Sequence, residues 1–202
     1  FGDLVGASAG CLLAIPALQL AGGLQAPFVI AAVAVLPALL APGHGRRARV
    51  LAGGLVAATA VVLLAVNIHS PFLKLKFRGE GDVIFSKWNY YSNISFQKES
   101  AWHGWRPSHK YEGPSPEHLK LSQDGRAPSF VVNYDGDPAK VEYLKYDITA
   151  LPYYIAEPRN VLLIGVGGGR DILTAKLFGV SQVTGVELNP ITVNALRNDF
   201  RD

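Results

Sequence analysis

The run Val161-Leu-Leu-Ile-Gly-Val-Gly-Gly-Gly-Arg-Asp171, followed by Gln182-Val-Thr-Gly-Val-Glu-Leu-Asn-Pro190, decides how this chain is read. Four apolar residues, Val161 to Ile164, are too few for a helix core and read as a strand buried on both faces, which the glycines then break. Helical character resumes at Asp171 and runs to Phe178, with Leu173 and Leu177 one turn apart and Gly179 suited to the left-handed position beyond a helix end. A second apolar run, Val183 to Leu188, carries Glu187 near its carboxyl end. The pattern is strand, glycine turn, helix, strand.

Such a unit makes a nucleoside site. Gly165, Gly167, Gly168 and Gly169 let the backbone turn sharply and leave no side chain between it and a ligand lying across free amides at the helix start. Glu187, 22 residues after Gly165, stands where a carboxylate accepts hydrogen bonds from both hydroxyls of a ribose. The dinucleotide fingerprint has a third glycine where this chain has Arg170. Asp171 adds a carboxylate to the first helical turn, where a pyrophosphate requires positive potential. A sulfonium with an amine tail suits that carboxylate, so an S-adenosylmethionine type of cofactor is expected rather than NAD.

Residues 161–190 resemble the cofactor motif of the polyamine aminopropyltransferases, the spermidine synthase family, a branch of the Rossmann-like methyltransferase fold. Ser86-Lys-Trp-Asn89 with Ile94, Tyr134-Asp-Gly136 and Ala150-Leu-Pro152 resemble that family's small amino-terminal strand domain and its connection into the nucleotide fold. With apolar spans in front, the arrangement is most similar to the membrane-bound spermidine synthase-like proteins of bacteria. The resemblance implies S-adenosylmethionine or its decarboxylated form as co-substrate, a small polyamine as acceptor, a bacterial inner membrane location and compatibility with a homodimer. It also implies that the acid serving the attacking amine lies beyond Asp202. In aminopropyl transfer an amine nitrogen attacks the carbon beside a sulfonium, which mainly requires a deprotonated amine held in line.

The substrate side departs from the family pattern. Aligned on Pro152, the family's Asp-Glu pair, its tyrosine and the following His or Gln and Glu fall at Lys140, Val141, Leu144, Lys145 and Tyr146, and none matches. Asn89 stands where the family has glutamine, with Tyr143 and Asp147 as possible substitutes on the later segment. Asn89, Asp135 and Tyr146 are the candidate substrate residues. Two further readings stay open: an S-adenosylmethionine-dependent methyltransferase-like enzyme, and a non-catalytic membrane protein whose nucleoside domain senses a ligand.

Composition divides the chain. Residues 4 to 41 contain no Lys, Arg, Asp or Glu, and this stretch accounts for an overall charged fraction of only 17%. Three uncharged or nearly uncharged runs, 4–21, 24–41 and 50–68, are each about long enough to cross a hydrocarbon layer roughly 30 Å thick. Gly2, Gly6 and Gly10 repeat at the spacing that lets membrane helices approach closely. Arg46, Arg47 and Arg49 precede the third run and Lys74, Lys76 and Arg78 follow it, so loop charge does not orient it. Adenosyl cofactors are made in the cytosol, which assigns the soluble part to the cytoplasmic side. The lone Cys11 reads as a small buried residue, the five histidines show no ligand spacing for a metal, and a net charge of +3 from scattered residues argues against nucleic acid.

The expected architecture is a transmembrane α-helical anchor, a small β-strand domain and the start of an α/β Rossmann-like, methyltransferase-type fold truncated at its carboxyl end. The boundaries are 1–69 for the spans, 70–81 for a linker beginning in the polar stretch from Asn67, 82–138 for the β domain and 139–202 for the nucleotide fold. Within the β domain, 82–98 reads as two strands, 99–129 as a long insertion without periodicity, read first as a solvated insertion, with Trp102, Trp105, Arg106 and Tyr111 as residues that could instead cover a ligand or rest on the membrane surface, and 130–134 as a third strand. Asp135-Gly-Asp-Pro138 reads as a turn opening a helix over 139–155, with Val141, Leu144, Ile148, Leu151 and Ile155 as its buried stripe. Ile191 to Asp202 reads as a further helix. A start at Phe1 and the lack of any methionine read as an excerpt of a longer protein.

Overall fold

The computed structural model describes residues 1–37, 45–70, 72–73, 82–98, 107–113 and 117–200, which fall into two units, 1–76 with 88–93 and 77–87 with 94–202. In the first unit, α1 (Gly2–Ala21) and α3 (Arg46–His69) are long and apolar enough to cross a membrane. At 1.5 Å per residue the 20 residues of α1 reach about 30 Å. None of its side chains is buried, and Cys11, expected inside, is exposed with them. The expected second span, 24–41, contains α2 (Ala26–Ala34), nine residues followed by a turn at Val35, and its part from 38 onward lies outside the described residues.

α2 packs along α3, and Phe28 meets Phe72 with ring centroids 6.0 Å apart. The helix α3 continues through Asn67 to His69, two residues past the expected onset of polar linker. Asn67 ends it: buried, its Oδ1 accepts from the amides of Phe72 and Leu73 at 3.1 and 2.9 Å, replacing the helical pattern for the chain that follows. Most of the linker, 71 and 74–81, lies outside the described residues.

In the second unit a sheet runs in the order β1 (Asp82–Trp88), β2 (Asn93–Lys98), β3 (His118–Gln123), β4 (Pro128–Val132). β2 pairs antiparallel with β3 and β3 with β4. The first two strands lie where the alternation of Val83, Phe85, Ile94 and Phe96 puts them. β3 corrects the expected structureless insertion over 99–129: Leu119 and Leu121 alternate with Lys120 and Ser122 and lead into Asp124-Gly125. Both turn residues have positive φ, 52° and 69°, and Arg126 N donates to Gln123 O at 3.0 Å, the mirror-image turn that matches the twist of a hairpin. Trp102, Trp105 and Arg106 lie outside the described residues, while Tyr111 packs beside Tyr143 and Tyr146.

The register puts Ile94, Phe96 and Leu121 in one core with Phe85, Ala195 and Phe200, and Phe96 stacks on Phe200 at 4.3 Å. Ser95, Gln97, Lys120 and Ser122 on the opposite face are also buried, and the Ser95 and Ser122 hydroxyls bond at 2.8 Å.

The helix expected over 139–155 is instead three short pieces: 3₁₀ helices at Pro138–Tyr146 and Ile148–Ala150, then α4 (Leu151–Ala156). Asp137 caps the first through Ala139 N at 3.0 Å. Asp147 interrupts it in an extended conformation and caps the next through Thr149 N at 3.0 Å. The buried set changes accordingly. Val141, Tyr143, Leu144, Ala150 and Tyr153 are inside, whereas Ile148, Leu151 and Ile155 are exposed.

β5 (Asn160–Ile164), α5 (Arg170–Leu177) and β6 (Gln182–Val186) form the expected strand–turn–helix–strand, with β5 and β6 parallel and in register from Asn160–Gln182 to Ile164–Val186. Gly179 takes φ 73° just past α5. The expectation of a strand buried on both faces is corrected: Val161 and Val183, with Phe178, pack against Tyr153, Ala175 and Val180, but Ile164 and Leu188 are each 80% exposed. Helices cover one side of this two-stranded pair, and nothing among the described residues covers the other. Chain continuation after β6 is helical as expected from 191, as α6 (Pro190–Asn194) capped by Asn189 at 3.0 Å, but it widens into a π turn over Ala195–Asp199.

Candidate functional site

The glycine turn between β5 and α5 is shaped by backbone geometry and by close neighbours. Gly165, Gly167 and Gly169 hold φ of 79°, 53° and 83°, where a side chain is strained. Around Gly165 and Gly169 there is open space. Gly168 is a glycine for a different reason, since a Cβ there would collide with the carbonyl of Phe130 in β4. A Cβ at Gly167 would lie 2.7 Å from Ser129 Oγ.

Glu187 follows the last residue of β6 and reaches back across the turn. Its Oε2 accepts from Gly167 N at 3.0 Å and its Oε1 from Asn189 N at 2.9 Å, so it faces the glycines it was expected to face. The glycine amides are not free, contrary to expectation. Gly165 N donates to Val186 O (2.8 Å), Gly167 N to Glu187, Gly168 N to Ser129 Oγ (2.8 Å) and Gly169 N to Val166 O (3.0 Å). A carboxylate offers about four acceptor positions, and two of those on Glu187 are taken by these amides. It is half-buried, with acceptor capacity left over.

Asp171 lies in the first turn of α5 with its side chain 47% exposed and its Oδ1 3.7 Å from Arg170 Nε. Arg170, which replaces the third glycine of the dinucleotide fingerprint, joins two distant segments. Its Nη1 donates to Asp147 Oδ2 at 3.3 Å, with side chains only 14% and 1% exposed. This partly buried ion pair ties the helix start to the break between the 3₁₀ helices. It commits Asp147 to holding the chain's own parts.

The substrate candidates have local partners. Asn89 is buried in the first unit, where its Oδ1 accepts from Tyr91 N and Ser92 N at 3.1 and 3.0 Å and so forms the β1–β2 turn. Asp135 is exposed and pairs with Lys140 Nζ at 2.6 Å; that bond holds its carboxyl below the usual carboxylate range. Tyr146 is exposed beside Tyr111, ring centroids 5.4 Å apart. Tyr143 is buried, and burial pushes its phenol well above the ordinary value. Among the described residues no cluster of three or more His, Cys, Asp or Glu could hold a metal.

Sequence reading missed Ser129. It bonds a glycine 39 positions later, and no periodicity or spacing marks a contact of that separation. Missing the Arg170–Asp147 pair has the same cause. No protein-family model, curated protein or solved structure matches the chain.

Proposed function

We propose that the β5–α5–β6 unit opens a Rossmann-like, methyltransferase-type fold and binds the adenosyl part of S-adenosylmethionine or its decarboxylated form. The observation that carries this reading is the Glu187 carboxylate held across the glycine turn by the amides of Gly167 and Asn189. Its remaining lone pairs accept the two ribose hydroxyls without displacing either amide. The open positions at Gly165 and Gly169 leave backbone for the ligand to lie against. Asp171, more exposed and in the first helical turn, supplies the negative charge that attracts a sulfonium or an amine tail and repels a pyrophosphate.

In this reading α1 and α3 cross a bilayer and the second unit works on the cytoplasmic side, where adenosyl cofactors are made. The reaction is aminopropyl transfer to a small polyamine, the chemistry implied by the resemblance of 161–190 to the aminopropyltransferases. Local roles found for Asn89, Asp135 and Asp147 favour a different acceptor from the family's, and methyl transfer is the second reading. The test is calorimetric titration of the chain in lipid nanodiscs with S-adenosylmethionine, its decarboxylated form, methylthioadenosine and NAD. Binding of the first three but not NAD is expected. Absence of adenosyl binding to a folded chain, or equal binding of NAD, overturns the reading.

A further inference from the structure

We propose that the β1–β2 tip, residues 88–93, is an interfacial anchor seated in the headgroup layer of a lipid bilayer, with Trp88, Tyr90 and Tyr91 as its lipid contacts. The inference rests on the reading that α1 and α3 cross a membrane, and it uses contacts within the first unit only. The turn Gly22–Gln25 joins α1 to α2. Because α1 alone is long enough to cross, that turn lies at a membrane face.

Trp88 is built onto this turn. A Cβ at Gly23 would collide with the six-membered ring of Trp88, and one at Gly22 would lie 3.0 Å from its Cδ1. The indole is therefore level with the membrane face, half-buried against backbone that has no side chain to keep it away. Beside it, Tyr90 and Tyr91 are 43% and 40% exposed, with ring centroids 4.1 Å apart and hydroxyls bonded at 3.0 Å. An apolar ring carrying a polar tip is the chemistry that concentrates at the bilayer–water boundary.

The exit of α3 reaches the same face. Phe72, exposed just past the helix end, meets Phe28, which lies in the first turn of α2 and so close to the Gly22–Gln25 turn. Phe72 and the exposed Leu73 are held in place by Asn67 Oδ1. Trp88 sits on the turn that ends α1, whose apolar side chains are unburied along the helix, and this adjacency favours lipid over a protein partner. Asn89 keeps the tip in one shape by binding the amides of Tyr91 and Ser92, so little side-chain and loop freedom is lost on insertion.

Trp88 can be read alone. The chain has three tryptophans, and Trp102→Phe with Trp105→Phe leaves Trp88 as the single emitter. The full chain with these changes is placed in phosphatidylcholine vesicles whose acyl chains carry bromine either near the headgroup or near the chain end. Quenching by the shallow bromines at least about twofold stronger than by the deep ones is expected, with protection from aqueous acrylamide. Deep quenching that exceeds shallow quenching, or full acrylamide access with no bromine effect, overturns the proposal. A nitroxide on Tyr91→Cys in a Cys11→Ala background gives a second measure should the tryptophan variant fold poorly, with oxygen and a water-soluble nickel chelate expected to reach it about equally. A chain that alkaline carbonate strips from the vesicles overturns the spans and the anchor together. A chain that stays embedded with Trp88 unquenched overturns the anchor alone.

Discussion

Glu187→Gln is the sharpest perturbation of the proposed site. In the chain as it stands, each carboxylate oxygen of Glu187 accepts one amide, Gly167 N at 3.0 Å and Asn189 N at 2.9 Å. A glutamine keeps one acceptor and turns the other into a donor, so in either orientation an N–H is left facing an NH₂ group. Losing one hydrogen bond to a charged acceptor removes about 1.5–3 kcal/mol of stability. A ribose loses more, because one hydroxyl has no acceptor and the other meets a neutral oxygen. About 2–4 kcal/mol of binding is at stake, roughly a 30- to 700-fold weaker Kd. Calorimetry with methylthioadenosine in nanodiscs measures the binding, and thermal unfolding by near-ultraviolet dichroism shows whether the variant is folded. Since the lost contact is to the sugar, S-adenosylmethionine and uncharged methylthioadenosine should weaken alike. A folded variant that binds within about threefold of the parent refutes the assignment of Glu187 to the ribose.

Other outcomes follow from the neighbouring geometry. Gly168→Ala places a methyl into the Phe130 carbonyl, which belongs to a paired strand and cannot yield freely, so a loss of about 1–3 kcal/mol is expected in thermal unfolding. Gly169→Ala, in open space but at φ 83°, should cost about 1–2 kcal/mol by backbone strain and serves as the comparison. Asp147→Ala leaves Arg170, only 14% exposed, with just the longer 3.7 Å contact to Asp171 and should destabilise the second unit by about 3 kcal/mol, with Asp147→Asn retaining part of that stability. Tyr143 binds its proton more tightly when folded than in an unfolded chain, where its value is 10.0. The stability it contributes is therefore complete below pH 10 and falls as pH rises from there toward the folded value, so Tyr143→Phe should flatten the alkaline limb of a stability–pH curve.

How far the chain could be read from its residues depended on the distance over which each feature is decided. The strand, glycine turn, helix and strand over 160–186 came from apolar runs and glycine punctuation, which act within a few residues. The same holds for Gly179 beyond α5, the β1 and β2 strands, and the helical start at Pro138 after the Asp135-Gly-Asp turn. Even β3 carried a local mark, the Asp124-Gly125 hairpin turn, obscured by the irregular stretch around it. The apolar character of 2–21 and 46–69 needed only composition.

Tertiary structure decided the rest. The periodic stripe over 139–155 suggested one helix, but Asp147, drawn to Arg170 across 23 positions, holds an extended residue in its middle and reassigns which side chains are inside. Ser129 closes the glycine turn from 39 positions away, so Gly168 is required by packing as much as by any ligand. The apolar run of β5 reads as a strand buried on both faces, but composition does not specify whether a neighbour meets each face, and Leu162 and Ile164 are uncovered. Local sequence specifies conformational preference over one or two turns of chain. Which surfaces then meet depends on the shapes and charges of segments far apart, and that choice set the capped, half-closed geometry in which Glu187 faces the glycines.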